Sequence, residues 1–79
     1  MSEPFFIASY IAHVRREELA NVKGIIEGTE FAEIPAMDEA GKLVVVIDAP
    51  TEGRLLDTAE EIRGVKGVLS FLPVYQHAE

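Results

Sequence analysis

The sequence predicts an α+β fold: a four-stranded antiparallel sheet with two helices packed on one of its faces. Three observations carry this. Strand-type and helix-type segments follow the order β-α-β-β-α-β within 79 residues. The two halves repeat one rhythm, with "RREELANVKGIIEG" and "TEGRLLDTAEEIRG" each mixing glutamates and aliphatics and closing on a glycine. Pro35 and Pro73 fall in the second and fourth strands, and none falls inside the first or third. Proline inside a sheet belongs at an edge or a bulge, because it lacks a ladder donor.

The elements follow in order. "FFIASYIAHV", Phe5 to Val14, is the first strand. A helix is expected from about Arg15 to Glu27, with Leu19, Val22, Ile25 and Ile26 as its apolar stripe. Glu17 and Glu18 sit in its first turn, where the helix dipole favours anions. Gly28 is expected to close it in a left-handed cap. The second strand runs roughly Glu30 to Met37, and "DEAG", Asp38 to Gly41, has turn chemistry. "KLVVVIDA", Lys42 to Ala49, is the densest β signal. Thr51 is the expected N-cap of the second helix, whose stripe is Leu55, Ala59 and Ile62 with Leu56 beside it. Gly64 ends that helix, and Val68 to Tyr75 is the last strand. Two right-handed β-α-β units of this size interleave as a ferredoxin-like sandwich. Its strand order is 4-1-3-2, with the proline-bearing second and fourth strands at the edges. Residues 1–79 are expected to form this single domain.

Composition narrows the function. A chain this short buries only roughly 60% of the surface its unfolded form exposes. It has no cysteine, so no disulfide or thiolate zinc site staples it. It must fold on apolar packing, which a 48% hydrophobic content permits. No apolar run is long enough to span a bilayer, and no leader marks secretion. A cytoplasmic location without membrane insertion is the expectation. The net charge of −7 argues against nucleic acid, whose phosphates need a basic footprint, and favours a cationic partner.

Alternation sorts the residues between the sheet's faces. In the first strand Phe6, Ala8, Tyr10, Ala12 and Val14 form the wholly apolar and aromatic set, which should face the helices. In the third, Leu43, Val45, Ile47 and Ala49 do so. In the fourth, Leu69, Phe71, Pro73 and Tyr75 are the bulkier set. The open face then receives Ile7, Ser9, Ile11 and His13, then Lys42, Val44, Val46 and Asp48, then Val68, Ser70, Leu72 and Val74. Glu33 and Pro35 disturb either parity of the second strand. A sheet with one solvated face should alternate more cleanly than this. A contiguous exposed apolar patch marks an interaction surface. Its occupant is a partner, a second copy or the chain's own C-terminal tail.

No enzyme site assembles. His13 and His77 are the only histidines, and no spacing makes them a metal pair. The glycines stand singly at element ends, so there is no phosphate-cradling loop. No serine lies in a nucleophile elbow. Arg15-Arg16 is followed at once by Glu17-Glu18 and preceded by a strand, unlike a twin-arginine export signal. An RNA-recognition module would show exposed aromatic and basic residues on its central strands, and neither Ile7 to His13 nor Val44 to Asp48 offers that combination. No metal or cofactor is expected.

"IASYIAHV", "GKLVVVIDAP" and "GVLSFLPVYQH", in that order and spacing, resemble the NapD family from about Ile7 to Glu79. The resemblance implies a ferredoxin-like fold and a non-enzymatic role. Family members are small cytoplasmic chaperones that bind the twin-arginine signal peptide of the periplasmic nitrate reductase catalytic subunit precursor. They hold back its export until cofactor insertion and folding are complete. The chain departs from the pattern in two places: at "PVYQH", with Pro73 where relatives have an aliphatic and Gln76 before His77, and in a slightly longer second strand and turn around Pro35 to Asp38. The peptide-binding residues expected on this reading are Ile7, Ser9, Ile11, His13, Val44, Val46, Asp48, Ser70, Leu72 and Val74. A ferredoxin-like regulatory module for a small ligand is the alternative. An acyl phosphate hydrolase of this topology is weaker, because Arg15 and Arg16 lack a glycine-rich cradle.

Overall fold

The computed structural model describes residues 6–74. The elements are β1 (Phe6–Val14), a 3₁₀ turn (Arg16–Glu18), α1 (Leu19–Glu27), β2 (Ala32–Met37), β3 (Lys42–Ala49), α2 (Glu52–Arg63) and β4 (Val68–Pro73). The strands form one sheet in the order β2-β3-β1-β4, and every neighbouring pair is antiparallel. This is the expected 4-1-3-2 arrangement. Tyr75 and His77 lie outside the described residues.

Both helices pack on one face. The core holds Val22 and Ile26 of α1, Leu55, Ala59 and Ile62 of α2, and the helix-facing residues of β1 and β3. Leu43, Val45 and Ile47 are fully buried. On β4, Phe71 enters the core and stacks on Tyr10 with ring centroids 4.5 Å apart. Thr51 caps α2 by accepting from the Arg54 amide at 3.1 Å, which satisfies one of the donors a helix start leaves free.

Three expectations need correction. Gly28 closes α1 in the right-handed region, at φ −86°, rather than in a left-handed cap. The left-handed residues come later, at Phe31 (φ 75°) and Gly67 (φ 100°). After α1, the Thr29 amide and hydroxyl take the carbonyls of Ile26 and Ile25 at 3.0 and 2.7 Å, so the reversal is displaced to Phe31. Ile25 of the expected stripe is exposed rather than buried.

The third correction is on β4. His13 pairs with Ser70, yet Val14 pairs with Val68, so Leu69 is an extra residue in a bulge. Val68 therefore packs against the core and Leu69 is 61% exposed, the reverse of what unbroken alternation gives.

Both edge prolines sit where their missing donor costs no ladder bond. The Val74 amide donates to the Ser9 carbonyl at 2.8 Å, which makes Tyr10 and Pro73 a non-hydrogen-bonded pair. The Pro73 nitrogen thus points to the free edge. So does the carbonyl of Phe71, and it accepts from the Arg63 guanidinium at 3.3 Å. On the other edge, the β2–β3 register jumps between Glu33 and Ala36, so Ile34 and Pro35 together oppose Val45. A bulge and a proline blunt that edge as well.

Candidate functional site

The face opposite the helices is the candidate site. Cross-strand partners share a face, so the register lays it out as rows. Ser70, His13 and Lys42 make one row at the end where β1 finishes. Next, Leu72, Ile11, Val44 and Ala36 run from edge to edge across all four strands, and every one is apolar. Ser9, Val46 and Glu33 follow, with Val74 bonded beside Ser9. Ile7 and Asp48 make the last row.

All ten residues singled out from the sequence therefore lie on this one face. Ile7, Leu72 and Val74 are 55%, 62% and 38% exposed. Ile11, Val44 and Val46 are half-buried, because neighbours on both sides shield them. His13 and Asp48 are exposed. His13 Nδ1 and the Ser70 hydroxyl share a hydrogen bond at 3.1 Å, which orients the imidazole along the sheet.

Two residues of the face escaped sequence reasoning, Glu33 and Ala36. Their parity is readable only if β2 carries a bulge, and Pro35 was the signal for it. Glu33 also lines a shallow cleft of ≈ 440 Å³ with Phe31, Ala32, Asp48 and Pro50. Phe31 is held there by its own backbone. It lies in the left-handed region, which costs an L-residue roughly 1–2 kcal/mol, and its carbonyl accepts from the Asp48 amide at 2.9 Å.

Chemically, the face offers aliphatic surface, one imidazole, two hydroxyls and carboxylates at one end. Among the described residues, no group of three or more His, Cys, Asp or Glu comes together as a metal site. No described helix is long and apolar enough to cross a membrane.

The chain resembles known proteins along nearly its whole length. The family model described as "NapD protein" matches residues 5–79. The Chaperone NapD of Escherichia coli strain K12 is 27% identical over 74 residues, 92% of this chain and 85% of that one. The Chaperone NapD of Shigella flexneri matches to the same extent. The solution structure of the E. coli Tat proofreading chaperone protein NapD superposes with a TM-score of 0.88 at 26% identity, covering 100% of this chain and 84% of that one. Fold and sequence thus agree, and the chain belongs to the NapD family.

Proposed function

We propose that this protein is a cytoplasmic proofreading chaperone. It binds the twin-arginine signal peptide of a periplasmic nitrate reductase precursor and holds back export until cofactor insertion and folding are complete. Its role is binding rather than catalysis. The observation that carries the reading is the apolar row from Leu72 through Ile11 and Val44 to Ala36 on a face that no described element covers. A twin-arginine leader has a basic start and an apolar segment. The apolar segment suits this row, and the protein's charge of −7 attracts the arginines and speeds encounter.

Docking on the face, rather than at an edge, fits the blunted edges. An added strand needs a free run of donors and acceptors. Pro73 removes a donor on β4, Arg63 occupies the Phe71 carbonyl, and the Pro35 bulge breaks the β2 edge. A bound leader is unavailable to the export machinery, so masking is competition, and release requires moderate affinity.

Amide shifts during titration with the leader peptide test this. Shifts are expected at Ile7–His13 and Val44–Asp48, and at Ser70, Leu72 and Val74. A leader with both arginines changed to glutamine should bind more weakly. Silence toward every leader, with thermal stability rising on addition of a small metabolite, would instead establish a ligand-binding regulatory module.

A further inference from the structure

The two ends of the open face differ in charge, and we infer from this the direction in which the leader lies. The inference rests on the reading that the face binds a basic-then-apolar segment. At the end where β3 finishes, the face itself carries Glu33 and Asp48. Glu30 and Glu52 adjoin them in sequence, and none of the strand residues there is basic. Arg54 of α2 lines a neighbouring recess with Glu30 and Phe31, but Asp57 and Glu61 line it too, so this end stays net acidic. At the opposite end the face carries His13 and Lys42. Arg15, Arg16 and Lys66 follow or precede the strands at that end. Glu17, Glu18, Asp38 and Glu39 offset them. The Asp38 carboxylate is turned into its own loop, accepting from the amides of Ala40 and Lys42 at 3.0 and 3.1 Å.

A guanidinium is therefore attracted to the first end and meets a near-balanced field, with the Lys42 ammonium on the face, at the second. The first end also provides the cleft, where Phe31, half-buried against the core, lines the wall together with the two carboxylates. An aromatic residue with carboxylates is a set that guanidinium recognises by ion pairing and stacking. The distance suits the client. From His13 to Ile7 the sheet spans roughly 20 Å at about 3.3 Å per residue, which a helix of about 13 residues covers. The leader's arginines sit over Glu33 and Asp48, its apolar segment crosses Ile11, Val44 and Leu72, and its far end reaches His13 and Lys42.

The probe is a synthetic peptide of two adjacent arginines followed by an apolar segment, carrying a nitroxide at one end or the other. The protein has no cysteine, so the label resides on the peptide alone. A label ahead of the arginines should broaden the amides of Glu33, Asp48 and Ala49. A label at the far end should broaden those of His13, Lys42 and Ser70. Reversed or indifferent broadening overturns the direction while leaving the binding face intact. Absence of any shift at Ile11 and Val44 removes the underlying reading instead. In parallel, Glu33→Gln with Asp48→Asn should weaken binding about two- to fivefold per charge and abolish the advantage of the arginine peptide over its glutamine form. Glu39→Gln, at the other end, should leave affinity unchanged. An equal loss from Glu39→Gln means a diffuse field and overturns the assignment. All three side chains are exposed, and matching thermal melts check that the variants fold.

Discussion

Val45 and Val46 are neighbours on β3 with identical side chains. Val45 is fully buried beneath the helices, and Val46 is half-buried on a face that no described element covers. The same contrast runs along β1, between Tyr10 and Ile11, and along β4, between Phe71 and Leu72. Folding requires the first member of each pair to be apolar. It does not require the second, since a solvated face tolerates polar residues at every position. Apolar residues repeated on a face that no described element covers are what the proposed peptide site requires, and the comparison sets residues that serve stability against residues proposed to serve association.

Substitutions can break or sharpen that separation. The largest effect is expected from Ile47→Ala on the covered face, which should lose about 2–5 kcal/mol of stability, read as a lower urea midpoint. Next is Leu72→Ala on the open face. Leader binding should weaken by more than about 1 kcal/mol, measured by calorimetry, while stability moves by less than about 0.5 kcal/mol. A large stability loss there would dissolve the distinction between the faces. Thr51→Ala, on the helical side, should cost about 1 kcal/mol of stability with no change in leader affinity per folded molecule. The smallest expected change is Arg63→Gln at the β4 edge. Its ion pair with Glu60 is exposed, so stability should fall by less than about 1 kcal/mol. Self-association, followed by sedimentation, should rise because the outward carbonyl of Phe71 loses its guanidinium.

Much of this was legible in the sequence. β3 is bounded as expected, Thr51 caps α2, and Pro35 and Pro73 mark the edges because a missing donor is a local property. Parity sorted β1 and β3 correctly, since both run without interruption. It failed on β4 at Val68 and Leu69. Alternation assumes one residue opposite one residue, and the bulge at Leu69 breaks that count. The same assumption hid Glu33 and Ala36, whose strand is interrupted at Pro35. Phe31 carried no signal at all. A bulky residue with positive φ is disfavoured locally and is held by the β3 contact at Asp48, which only the assembled sheet provides. The face and Asp48 could therefore be predicted, but the Glu33 and Phe31 that complete its acidic end could not.

On the proposed reading, one property of the open face bears on how it would select a client. Ile7, Ile11, Val44, Val46 and Val74 are all β-branched, and such side chains are stiff about their first torsion. A surface of flexible methionines can reshape itself around many sequences. This one is set before the client arrives, so little of its own freedom is lost on docking. The ordering falls instead on the incoming peptide, whose side chains must match fixed ridges. Discrimination among leaders then depends on the shape of the apolar segment as well as on its arginines, and a leader of equal hydropathy but different branching should be told apart.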